Sequence, residues 1–118
     1  MMTGYDIYKR VLGLLGYLNA NYTNGGNENF LKRALDIINQ ICLDLNIPQI
    51  NFLSDKIVAD DKKLDALCYG SAMLMALVES DGAKNELFAK LYNAKRSIAL
   101  SSKDSIEDKL PFTSYGVD

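Results

Sequence analysis

The sequence predicts an all-α protein: a small four-helix bundle with a central buried helix, an irregular middle segment and a flexible C-terminal tail. The first observation behind this is periodic. Four stretches repeat apolar residues at helical spacing, so that each presents an apolar face. The second is the run LDALCYGSAMLMALV, residues 64–78, whose thirteen positions from Ala66 to Val78 carry no charge. Thirteen residues are too few to span a bilayer, which takes about 20, so the run predicts a helix buried in protein. Leu64, Leu67, Cys68, Ser71, Leu74, Met75 and Val78 line one of its faces; Ala66, Tyr69, Met73, Ala76 and Leu77 line a second, also apolar. A helix apolar nearly all round must be covered from more than one side. The third observation is size. A chain of 118 residues makes one domain able to bury roughly two thirds of its unfolded surface, with residues 1–101 assigned to the bundle and 102–118 to the tail.

The first helix is expected to start near Gly4, because Thr3 and Asp6 stand at the spacing of a capping box with Asp in place of the usual Glu. Tyr5, Tyr8, Val11, Leu12 and Leu15 line its apolar face, Asp6, Lys9 and Arg10 face water, and Gly16 closes it. Gly13 marks either a close helix crossing or a weak helix. The following NANYTNGGN, residues 19–27, is rich in Asn and Gly and reads as a loop. No strand precedes its Gly pair and no Lys-Ser/Thr follows, so it is not a phosphate-binding loop.

The second helix should run from about Glu28, capped by Asn27, to Leu45. Phe30, Leu31, Ala34, Ile38, Ile41, Cys42 and Leu45 make its stripe, widened by Leu35 and Ile37, with Asp36, Asn39, Gln40 and Asp44 wet. Pro48 stops it. The segment from Asn46 to Asp60 is irregular, yet Ile47, Ile50, Phe52, Leu53, Ile57 and Val58 make it too apolar for a free linker. It is expected to pack across the end of the bundle. Asp60 or Asp61 caps the central helix at its positive end. Asp81 and Gly82 then turn into an antiparallel fourth helix over Ala83 to Leu100. Leu87, Leu91, Ala94 and Ile98 are its expected stripe, with Phe88 and Tyr92 alongside. Beyond Ser101 the tail is polar for several residues and then carries Leu110, Pro111, Phe112, Tyr115 and Val117, which either fold back on the domain or dock onto another subunit.

Composition excludes several functions. A net charge of −2 with pI near 5.1 argues against a general nucleic-acid binder, which needs a basic face. Lys84, Lys90, Lys95 and Arg96 of the fourth helix are the one surface on which such a reading rests. Asp6, Lys9 and Arg10 interrupt the N-terminal apolar region, so no signal peptide is expected, and no transmembrane segment is expected either. The chain holds no histidine, which removes Ser-His-Asp and Cys-His activation of a nucleophile, and no enzyme is expected. Without histidine or a CxxC pair, no metal or cofactor is expected. Cys42 and Cys68 are expected as buried reduced thiols; a disulfide between them needs Cα atoms roughly 4.4–6.8 Å apart.

The run from Leu64 to Leu77, then Glu79 to Gly82, Asn85, Phe88 and Leu91 to Arg96, resembles bacteriophage head–tail connector proteins of Gram-positive phages and prophages. Thr3 to Arg10 with Leu14 to Gly16, and Phe30 to Ala34 with Ile38 to Gln40, are similar to the opening of the same family. The similarity covers most of residues 3–100 in the same order. It implies a structural protein that forms a ring beneath the portal of the DNA-filled head and bridges the portal to the tail, stopper or next connector protein. The implied location is the host bacterial cytoplasm during assembly and then the head–tail junction of the virion, with no membrane and at most indirect DNA contact. Ile50, Phe52 and Leu53 of the middle segment, and Pro111, Phe112 and Tyr115 of the tail, are the candidate contacts to subunits or partners. The alternative is a small helical nucleic-acid-binding or regulatory protein.

Overall fold

The computed structural model describes residues 2–16 and 28–101, the side chains of residues 28–30 excepted. Among the described residues four helices follow one another: α1 (Gly4–Leu15), α2 (Glu28–Asp44), α3 (Asp61–Val78) and α4 (Gly82–Ser101). Among the described residues there is no strand, and one isolated antiparallel bridge joins Thr3 to Lys56.

The helix starts follow the cap residues. Thr3 Oγ1 accepts from the Asp6 backbone N–H at 3.2 Å while the Thr3 N–H donates to Asp6 Oδ2 at 2.9 Å, closing the capping box of α1. Asp60 Oδ1 accepts from the Lys63 N–H at 2.8 Å, so Asp60, rather than Asp61, is the cap of α3. Asp81 Oδ1 accepts from the Lys84 N–H at 3.2 Å at the start of α4. Gly16, in the left-handed region at φ 76°, ends α1. Among the described residues a Cβ on Gly13 would meet nothing within 4 Å, so that glycine marks no crossing of the described helices.

The core is organised around α3, against which α1, α2 and α4 all pack. Leu64, Ala66, Leu67, Cys68, Gly70, Ser71, Ala72, Met75 and Ala76 are buried, drawn from both of its apolar faces. Its last two residues escape cover: Leu77 is 60% exposed and Val78 39%. The tightest point is Gly70. A Cβ there would lie 2.7 Å from Ile41 Cγ2 of α2 and 2.8 Å from Tyr92 Cε1 of α4. The missing side chain lets two helices reach the backbone of the third.

Two helices turn otherwise than their periodicity suggests. On α1, Tyr5 is 44% exposed and Ile7 takes a core position at 0%. On α4 the expected stripe faces outward: Leu87, Leu91 and Ile98 are exposed at 52%, 36% and 53%, and Ala94 is exposed, whereas Phe88, Tyr92 and Ala99 are buried. Both faces of α4 are apolar enough to pack, and the aromatic one prevails. It buries more area, it fills the gap at Gly70, and it lets the Tyr92 hydroxyl reach Asp44.

The middle segment is an ordered strap. Asn39, in the expected wet row of α2, is instead a clamp: its Nδ2 donates to the Ile50 carbonyl at 2.8 Å and its Oδ1 accepts from the Ile50 N–H at 2.9 Å. The strap then crosses the start of α1. The Tyr5 N–H donates to the Leu53 carbonyl at 2.9 Å and the Gly4 N–H to the Asp55 carbonyl at 3.2 Å. These are first-turn donors that the helix itself cannot satisfy. The Ile57 N–H donates in return to the Met2 carbonyl at 2.8 Å. Ile47, Ile50, Leu53 and Ile57 sink into the core beneath.

Cys42 and Cys68 are free thiols with no exposed surface. Desolvation pushes both up to about 11, so they remain thiols at neutral pH and are poor nucleophiles. The hydroxyl of Ser71, 1% exposed, has no hydrogen-bond partner among the described residues.

Two substitutions test this packing by urea unfolding. Gly70→Ala is expected to cost about 1–3 kcal/mol, the range for forcing atoms into a filled site; an unchanged midpoint would mean that α2 and α4 do not meet at this point. Ser71→Ala is expected to raise stability by about 1 kcal/mol, since it removes a buried polar group that bonds to nothing. Loss of stability instead would show that the hydroxyl has a partner.

Candidate interaction surfaces

The ionic groups on the described surface mostly tie helices together. Asp65 of α3 takes Arg10 Nη2 of α1 at 3.0 Å on one oxygen and Lys95 Nζ of α4 at 2.8 Å on the other. The Lys95 ammonium also lies 5.1 Å from the centre of the Tyr69 ring. Lys84 Nζ donates to the Leu15 carbonyl at 2.6 Å, closing the C-terminal end of α1 from the start of α4, and lies 3.5 Å from Asp81. Asp44 Oδ2 accepts from the Tyr92 hydroxyl at 2.5 Å and from Arg96 Nε at 2.8 Å, joining α2 to α4.

These ties bear on the basic row of α4. Lys84, Lys95 and Arg96 each meet a carboxylate of their own chain, which leaves exposed Lys90 as the member of the row without such a tie among the described residues. A phosphate backbone needs cations free to neutralise it, so the row is a poor nucleic-acid surface. Asp60 is spent as a helix cap. Among the described residues no three His, Cys, Asp or Glu side chains are grouped so as to hold a metal ion. No described helix is long and apolar enough to cross a membrane.

Among the described residues, three surfaces carry apolar groups turned outward in company, beside single ones such as Val58 and Leu77. The first is an open groove of about 410 Å³ between the start of α1, α2 and the strap, lined by Tyr5, Leu31, Leu35 and Phe52, with Lys32 and Asn51 at its polar edge. Phe52 is 67% exposed at the tip of the strap. Its position is fixed from below, because Asp55 Oδ2 accepts from both the Asn51 N–H at 3.1 Å and the Phe52 N–H at 3.0 Å. The second is an open groove of about 490 Å³ between α2, α3 and α4, lined by Gln40, Leu43, Met73 and Leu74 with Asp44 and Tyr92. Leu43 is 65% exposed there. The third is the outward stripe of α4.

Of the candidate contacts in the strap, Phe52 alone faces outward. Ile50 and Leu53, at 6% and 7% exposure, belong to the chain's own core. An apolar run in an irregular segment does not say which of its residues point inward; here the Asn39 clamp and the α1 cap decide. Pro111, Phe112 and Tyr115, like the Asn19–Asn27 loop, lie outside the described residues. Leu43 had no signal in the sequence beyond its absence from the α2 stripe. The chain matches no protein-family model, no curated protein and no solved structure in comparison with each.

The Asp44–Tyr92 pair predicts a pH dependence. The hydrogen bond from Tyr92 holds the Asp44 carboxyl below the usual carboxylate range, with Arg96 adding to it and burial opposing it. Burial first, and then Asp44, push the Tyr92 phenol up. A depressed acid contributes stability above its unfolded pKa of about 4 and loses it as pH falls through the folded value. A raised phenol contributes below about 10 and loses it as pH rises further. Stability is therefore expected to be level across neutral pH and to fall on both sides. Asp44→Asn is expected to lower the level part and flatten the acid-side fall in urea titrations at several pH values; an unchanged acid limb would contradict the pairing.

Proposed function

We propose that this chain is a structural protein of phage assembly, forming a ring that connects the portal of the DNA-filled head to the tail, stopper or next connector. The observation that carries the reading is the resemblance over most of residues 3–100, strongest from Leu64 to Leu77 and Leu91 to Arg96. On this reading the protein acts by contact rather than catalysis, first in the host bacterial cytoplasm and then at the head–tail junction.

Two features of the molecule support a contact role. Large apolar side chains face outward on separate faces: Phe52 on the strap and Leu43 on α2. A ring of identical subunits needs two different patches on each, and a monomer with one patch offers no such choice. Phe52 is also held on a segment bonded at several points to α1 and α2. A rigid, exposed aromatic loses little conformational freedom on docking, which is the property of an interface anchor. A small helical nucleic-acid-binding protein is the competing reading, and the self-paired cations of α4 weigh against it.

The test is binding of the purified chain to the portal protein of its own genome, followed by sedimentation and electron microscopy. Rings or portal-bound material are expected. No binding, under conditions where other connectors bind their portals, would sink the proposal. Phe52→Glu is expected to leave unfolding within about 0.5 kcal/mol of the parent, as exposed positions do, and to weaken portal binding or ring formation at least tenfold, about 1.4 kcal/mol. Binding that survives this change unaltered would remove Phe52 from the interface.

A further inference from the structure

Among the described residues, the outward row of α4 is a regular apolar feature that the fold leaves uncovered. Single exposed apolar residues are ordinary, but Leu87, Leu91, Ala94 and Ile98 recur at helical spacing on one face and are all exposed. We infer that this row is covered in the free subunit by the same chain's C-terminal segment, residues 106–117, running back along α4. The inference stands apart from the connector reading and requires no partner.

Connection and length both favour this occupant. The described chain ends at Ser101, less than one turn beyond Ile98 at the end of the row. Ser102 to Ser105 are four polar residues available to reverse the chain, and Ile106, Leu110, Pro111, Phe112, Tyr115 and Val117 follow. From Ile98 back to Leu87 the helix rises about 16 Å at roughly 1.5 Å per residue. Residues 106–112 in extended form cover about 20 Å at roughly 3.3 Å per residue. The apolar part of the segment therefore reaches the whole row without a gap.

Charge points the same way. Helix α4 carries Lys84, Lys90, Lys95 and Arg96 against Glu86; Lys84, Lys95 and Arg96 are met by Asp81, Asp65 and Asp44 of the same chain, so Lys90 is the main cation to complement. The segment after Ser101 carries Asp104, Glu107, Asp108 and Asp118 against Lys103 and Lys109, a surplus of two negative ones. Lys90 is exposed beside the row, and the single Asp65 carboxylate is shared between Lys95 and Arg10, so positive charge remains at the edges of the row. An acidic segment with apolar residues suits a cation-edged apolar stripe.

The experiment uses the full chain with Ser114→Cys carrying a nitroxide; Cys42 and Cys68, wholly buried, stay unlabelled. In the isotope-labelled protein, amide signals of Leu87, Leu91 and Ile98 are expected to be lost and those of Ile7 and Val11 on α1 to remain. The loss should persist on dilution with excess unlabelled chain, and Leu91→Lys, at an exposed position, should restore the signals while the rest of the spectrum keeps its dispersion. Three results would overturn the inference. One is no loss on α4. Another is loss that appears only in an isotope-labelled chain mixed with a spin-labelled one, which assigns the segment to a second copy. The third is loss that Leu91→Lys leaves intact.

Discussion

The whole arrangement depends on how closely α2 and α4 approach the backbone of α3 at Gly70. Ile41 and the Tyr92 ring both occupy space that any side chain at that position would claim. Because the two helices meet the third at one level, their remaining contacts are largely determined. The Tyr92 hydroxyl is delivered to Asp44 on α2, which receives Arg96 as well. Phe88, one turn earlier on α4, comes to lie 5.9 Å from Tyr69 of α3, ring centre to ring centre. Turning Tyr92 inward also turns Leu87, Leu91 and Ile98 outward, so one missing side chain accounts for the core and for the surface opposite it.

The polar contacts have a different task. Exposed ion pairs contribute about 0.2–1 kcal/mol each, and those of Asp65, Asp81 and Asp44 are all partly exposed. Their importance is angular. Asp65 holds α1 and α4 at fixed settings about α3, and the Lys84 ammonium closes the carbonyl end of α1 with a group from another helix. Burial supplies the stability, and the charged groups choose among packings of similar area.

Much of this frame was legible in residue spacing, because it follows from local chemistry. The capping box at Thr3 and Asp6, the glycine stop at Gly16, the aspartate at the start of α3 and the all-round apolar character of residues 66–76 depend on near neighbours in the chain. The orientation of α4 was not legible, since two of its faces are apolar and only the gap at Gly70 decides between them. Asn39 resembles any solvated asparagine until Ile50 is placed beside it. For the same reason Ile50, Phe52 and Leu53 looked alike as contact residues, and only Phe52 faces outward. The candidate surfaces were harder to read than the core, because exposure is decided by what the remainder of the chain does not cover.

The strap across the start of α1 also bears on the order in which the molecule assembles. Helix α1 has twelve residues, at the lower limit for a helix to persist alone in water, about 12–15. Two of its first-turn donors are satisfied by carbonyls of Leu53 and Asp55, some fifty positions later in the chain. Its far end is closed by Lys84, later still. Helix α1 therefore waits for residues of the strap and of the α3–α4 hairpin before both its ends are secured. Contacts between residues near in sequence form ahead of such distant ones, which makes α3 and α4 the natural nucleus and α1 a late addition to it.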